Sequence, residues 1–87
     1  AAEERLADVA YKSVPARIAI TLLRLAGDDG DPVKLSHQDI ADMVGTYRET
    51  ATRILNELRT EGLIELKRMR IDIINADALE DVAADAT

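Results

Sequence analysis

Apolar residues recur at helical spacing in four successive stretches of the chain, alternate in two short ones, and return to helical spacing once more. In residues 1–12, Leu6, Val9 and Ala10 stand at i, i+3, i+4, the pattern of a short amphipathic helix. Pro15 breaks the chain and suits the first turn of a second helix. Along that helix Ile18, Leu22, Leu25 and Ala26 repeat, flanked by Ile20 and Leu23. So wide an apolar arc predicts a helix central to the core. Gly27-Asp28-Asp29-Gly30-Asp31-Pro32 then reads as a loop.

Val33-Lys34-Leu35 is short and extended, and leads into Ser36, an N-cap residue with Asp39 three positions on in a capping-box arrangement. Ile40, Met43 and Val44 follow at i, i+3, i+4, and Gly45 supplies a residue able to take positive φ at the helix end. Thr46-Tyr47-Arg48-Glu49 fits a second capping box, so another helix is predicted to begin almost at once. Its buried face is Ala51, Ile54, Leu55 and Leu58, and Gly62 closes it. Leu63-Ile64-Glu65-Leu66 and Ile71-Asp72-Ile73-Ile74 are strand-like, joined by the basic turn Lys67-Arg68-Met69-Arg70. Asn75 or Asp77 is placed to cap a last short helix bearing Leu79 and Val82. Two short helices joined by a tight glycine-containing turn form a helix-turn-helix, and the hairpin after them is a wing. The predicted fold is mainly α with a small β-hairpin: a winged helix-turn-helix with a three-helix core.

Composition fits one small folded domain. The chain has 87 residues, of which 47% are hydrophobic and 32% charged. Tyr11 and Tyr47 are its only aromatics, so the core is expected to be aliphatic. Without cysteine there are no disulfides, thiolate metal sites or cysteine nucleophiles. There is no apolar run near the roughly 20 residues that span a bilayer, and no secretory signal pattern; no membrane partner is expected and the expected compartment is the cytoplasm. The net charge of −6 opposes nucleic-acid binding until its distribution is considered. Residues 47–70 carry +2, whereas residues 1–46 carry −3 and residues 71–87 carry −5. A DNA-binding face needs local positive potential rather than a basic protein.

In a helix-turn-helix the N-terminal end of the second helix enters the major groove. Here that end offers Tyr47, Arg48, Glu49, Thr52 and Arg53, the positions left outside when Ala51, Ile54, Leu55 and Leu58 face inward. Arginine donates two hydrogen bonds to guanine O6 and N7, and glutamate accepts from cytosine N4. The alternative is a solvated face with a Glu49–Arg53 i,i+4 pair. The run from Leu35 to Leu55, LSHQDIADMVGTYRETATRIL, resembles the helix-turn-helix signature of the cAMP receptor protein/FNR regulator family. Val14-Pro15-Ala16-Arg17-Ile18-Ala19 resembles the helix that opens that family's C-terminal domain, and Leu58-Arg59-Thr60-Glu61-Gly62-Leu63-Ile64 the approach to its wing.

The resemblance implies base contacts by Arg48, Glu49 and Arg53, and backbone contacts by Ser36, His37, Tyr47, Thr52, Lys67, Arg68 and Arg70. Ser36 has the alternative of a plain N-cap, and the wing cations that of a solvated turn. Tyr47 stands where the family commonly has serine or threonine. The resemblance also implies a division into residues 1–12, the tail of a dimerisation helix or the hinge after it, and residues 13–84, the DNA-binding domain of a longer regulator. Its implied partners are double-stranded DNA with a palindromic site, a second copy in a homodimer, and RNA polymerase. No cofactor is expected in this domain, and the effector of the whole regulator is not legible. A second function class is a winged-helix protein-interaction module, which suits −6 well; it is separated from DNA reading by whether Arg48, Arg53, Lys67, Arg68 and Arg70 share one face. An enzyme is not expected: there is no phosphate-binding glycine loop, one histidine, and no EF-hand spacing around Asp28, Asp29 and Asp31. No metal site is expected.

Overall fold

A computed structural model describes residues 13–85. The helix predicted over residues 1–12, and its reading as a dimerisation tail or hinge, lie outside the described residues. Helix α1 spans Val14–Ala26. Ser13 caps it, its Oγ accepting the Ala16 N–H at 3.2 Å, and proline stands in the first turn, where no amide donor is needed. The helix buries Ala16, Ile18, Ala19, Leu22 and Ala26. Leu25, expected on the apolar arc, is instead exposed, because the small residues Ala16, Ala19 and Ala26 share the inner face with Ile18 and Leu22.

Helix α2 spans His37–Val44 and starts with the predicted capping box. The Asp39 N–H donates to Ser36 Oγ at 3.0 Å, and the Ser36 N–H donates to Asp39 Oδ2 at 3.1 Å. It buries Ile40, Ala41 and Val44, with Met43 turned outward because Ala41 occupies the inner face. Gly45 ends the helix at φ +75°, a left-handed conformation that costs a residue with a Cβ about 1–2 kcal/mol. Helix α3 spans Arg48–Thr60 and buries the predicted Ala51, Ile54, Leu55 and Leu58. The second capping box is not formed. The N-cap is Tyr47, and no side chain caps α3. Thr46 is spent on closing α2: its N–H donates to Ala41 O at 2.9 Å, leaving the chain to enter α3 one residue later.

Strands β1 (Ile64–Lys67) and β2 (Arg70–Ile73) pair antiparallel, with Ile64 opposite Ile73, Glu65 opposite Asp72, Leu66 opposite Ile71 and Lys67 opposite Arg70. The connecting turn is narrower than the predicted basic run. Only Arg68 and Met69 lie in it, since Lys67 and Arg70 are already paired. Val33 adds a one-residue bridge on the other edge of β2, exchanging reciprocal backbone bonds of 2.8 Å with Ile71. Helix α4 (Ala76–Ala84) is capped by Asn75, whose Oδ1 accepts the Ala78 N–H at 3.1 Å, and packs on α1 through the buried Leu79. Ile18, Leu22, Ile40, Ile54, Leu55, Ile71 and Leu79 form the fully buried centre; among the described residues no polar or charged residue is buried.

Candidate nucleic-acid interface

The capped start of α2, one row of α3 and the hairpin turn converge on an open groove of about 760 Å³. Ser36, His37 and Gln38 line it from α2, Arg48, Asn56 and Arg59 from α3, and Leu66, Lys67, Arg68 and Met69 from the hairpin. Four of these side chains are cations and none is an acid. In a chain of net charge −6 this is a local reversal of sign, and concave walls of low dielectric concentrate such a potential.

The row on α3 follows from helix periodicity. Arg48, Thr52, Asn56 and Arg59 succeed one another at i, i+4, i+8, i+11 and share one face beside the buried stripe. Asn56 and Arg59 lie beyond the N-terminal end of α3, the part to which the helix-turn-helix pattern points. The spacing from Arg48 was the available signal. Arg48, Arg59 and Arg68 have no ion-pair partner among the described residues.

Ser36 caps α2 as described, and its neighbour His37 reaches α3, with Nδ1 2.9 Å from Thr52 Oγ1. Tyr47 is 78% exposed at the tip of α3. Glu49 is exposed on the next row, together with Arg53. Arg53 does not pair with Glu49. Its Nη1 lies 2.9 Å from Glu57 Oε1, one turn towards the C-terminus, and it faces a separate shallow depression shared with Glu57 and Glu61.

On the hairpin, Lys67 and Arg70 stand on the solvent face with Glu65 and Asp72. Asp72 Oδ1 accepts from Arg70 Nε at 3.0 Å, and Lys67 Nζ lies 3.7 Å from Asp72 Oδ2 and 3.9 Å from Glu65 Oε1. Of the five cations expected to share a face, the groove brings together Arg48, Lys67 and Arg68. Arg53 and Arg70 stand outside its lining, and Arg59 joins it. Among the described residues no group of histidine and acidic side chains is arranged to hold a metal ion, and no helix is long and apolar enough to cross a membrane.

Residues 16–82 match the Crp-like helix-turn-helix domain. The chain is 36% identical over 85 residues to the global nitrogen regulator of Synechococcus elongatus, an alignment covering 88% of this chain and 38% of the regulator. It is 40% identical over 68 residues to the cAMP-activated global transcriptional regulator CRP of Salmonella typhimurium, covering 70% and 32% respectively. A crystal structure of a CRP-family transcriptional regulator from Thermus thermophilus superposes with a TM-score of 0.77 at 35% identity, over 93% of this chain and 47% of that one. The chain thus spans less than half the length of each of these proteins.

Proposed function

This chain belongs to the family of Crp-like helix-turn-helix domains, and from that premise we propose that it is the duplex-DNA-reading domain of a bacterial transcription regulator. The observation that carries this reading is the acid-free groove holding Arg48, Arg59, Lys67 and Arg68 between the recognition helix α3 and the hairpin turn. A helix 10–12 Å across fits a major groove about 12 Å wide. With α3 entered N-terminus first, Arg48 and Glu49 meet base edges, and Tyr47 meets the backbone at the tip. Ser36, His37, Lys67 and Arg68 lie to the side, where phosphates flank the groove, and Arg59 extends that set. Arg53 joins the base contacts by leaving Glu57. The exposed pair is worth about 0–1 kcal/mol, against about 1–3 kcal/mol for a bidentate base contact, so the exchange is favourable. Arg70 contributes to the backbone contacts from the wing face.

By its kinship the domain acts in the cytoplasm as one half of a homodimer on a two-fold symmetric site, beside RNA polymerase, and binds rather than catalyses. No cofactor is assigned to it. The test is a titration of the chain, at low and moderate salt, into a labelled duplex bearing a two-fold symmetric site of the family, with a scrambled duplex as control. Tighter, salt-sensitive binding to the symmetric site is expected. Absence of binding at low salt, even with a dimerising helix fused to the chain, would replace DNA reading by protein docking.

A further inference from the structure

His37 is the only histidine of the chain, and among the described residues the only groove-lining side chain with a hydrogen bond across to α3. It is the first residue of α2, half-buried, with Nδ1 2.9 Å from Thr52 Oγ1. Its other ring nitrogen, Nε2, has no partner among the described residues. Thr52 is half-buried on the Arg48 row, one turn into α3. Threonine hydroxyls inside helices often donate to the carbonyl four residues back, as Thr21 does to Arg17 O and Thr60 does to Asn56 O. Thr52 does not; His37 Nδ1 is the only partner of its hydroxyl among the described residues.

We propose that Thr52 acts in DNA binding as a positioning residue, its hydroxyl holding the His37 imidazole so that Nε2 presents an N–H to a backbone phosphate in the cationic groove. This rests on the DNA reading above and replaces the expected direct backbone contact of Thr52. A neutral imidazole has one N–H and one lone pair. Among the described residues Nδ1 is the one acceptor beside the Thr52 hydroxyl, and a proton donated there leaves the ring proton on Nε2. The opposite tautomer makes the Thr52 hydroxyl the acceptor and turns a lone pair towards an anion. When the ring is protonated, both nitrogens donate and the Thr52 oxygen accepts instead, because a hydroxyl serves either role. The groove is therefore offered an N–H in both states. The charged side chains lining the groove are Arg48 and Arg59 from α3, Lys67 from β1 and Arg68 from the hairpin turn, and α1 contributes none.

The ring ¹⁵N spectrum of the 87-residue chain at pH 8, taken without DNA, tests the geometry, and a single histidine leaves no ambiguity of assignment. The wild type and Thr52→Ser are expected to show the Nε2–H tautomer, with Thr52→Val losing the preference. Fluorescence anisotropy with a labelled 20-base-pair mixed-sequence duplex tests the consequence, since phosphate contacts are not sequence-selective. Thr52→Val should weaken binding about 5-fold with His37 present and less than about 2-fold in a His37→Ala background, and Thr52→Ser should restore it. An Nδ1–H tautomer in the wild type, or equal losses in both backgrounds, would overturn the proposal. A wild-type chain that binds no duplex at all would overturn the DNA reading beneath it, a failure told apart by the ring spectrum.

Discussion

At the scale of single residues, two arginines five positions apart on α3 have different surroundings. Arg48 lies in the groove without an ionic partner among the described residues, whereas Arg53 is paired to Glu57. Arg48→Ala should reduce affinity for a cognate site about 10- to 100-fold and leave scrambled duplex within a few-fold. Lys67→Ala should weaken both alike and lower the slope of log affinity against log salt by about 0.9. An unchanged cognate-to-scrambled ratio in the Arg48 variant would remove it from base reading. Tyr47 makes a second contrast. Ser13, Ser36 and Asn75 each cap their helices with a side-chain oxygen, and Tyr47 does not. Tyr47→Ser should therefore raise the unfolding free energy by about 0.5–2 kcal/mol in urea titrations. The same change removes the exposed ring from the tip of α3, so gains in stability and in DNA affinity are not expected together. Arg48 was legible in the sequence because helix spacing alone puts it outside the buried stripe. The partner of Arg53 was not, because Glu49 and Glu57 are both four residues away and only the side-chain rotamer selects between them.

At the scale of elements, the hairpin separates its two faces by strict alternation. Ile64, Leu66, Ile71 and Ile73 occupy one face, with Ile64 and Ile71 buried, and Glu65, Lys67, Arg70 and Asp72 occupy the other. Directly opposed residues on the solvent face have like charge, Glu65 with Asp72 and Lys67 with Arg70, which is unfavourable. The contacts of Asp72 with both Lys67 and Arg70 offset this. Asp72 thereby holds two of the three wing cations in ion pairs. Asp72→Asn should tighten binding to mixed-sequence duplex a few-fold at low salt, while stability falls by about 1 kcal/mol, since Lys67 and Arg70 are about half exposed although Asp72 is only 18% exposed. Loss of duplex affinity in that variant would mean that Lys67 and Arg70 do not reach phosphate. The inner stripe of α3 behaves differently. Leu55 is fully buried, and Leu55→Ala should cost about 2–5 kcal/mol in denaturant unfolding. Small domains are held by only about 0.05–0.15 kcal/mol per residue, so this single truncation approaches the limit of folding. That stripe and the capping box of α2 were readable beforehand, because each is decided by residues within one or two turns of one another, and the last helix's cap was narrowed to Asn75 or Asp77, of which the fold uses Asn75. The failed Thr46 capping box was not, because the Thr46 amide is claimed by Ala41 in the preceding helix.

At the scale of the whole molecule, an acidic chain presents a cationic groove. Acidic flanks should keep affinity for arbitrary duplex low, and one copy offers few phosphate contacts. Two copies joined through a dimerising coiled coil should bind a duplex with two half-sites about one helical turn apart some 10²- to 10⁴-fold more tightly than a single copy does. A duplex with one half-site should show no such gain, and equal gains on both would argue against paired recognition. The sequence by itself determined the order of elements within the described residues, the aliphatic core stripes, the helix ends at Gly27 and Gly45, and the placing of positive charge in residues 47–70. These are properties of local periodicity, capping chemistry and composition, which are decided by residues close together in the chain. The tertiary structure alone decided which cations share a wall. Packing α2 against α3 and turning the hairpin back beside them brought Arg59 into the groove with Arg48, Lys67 and Arg68, left Arg53 and Arg70 beside acids outside its lining, and set His37 against Thr52. The groove residues that meet from different elements lie well apart in the chain, and their proximity is fixed by how three elements dock on one core rather than by any local pattern.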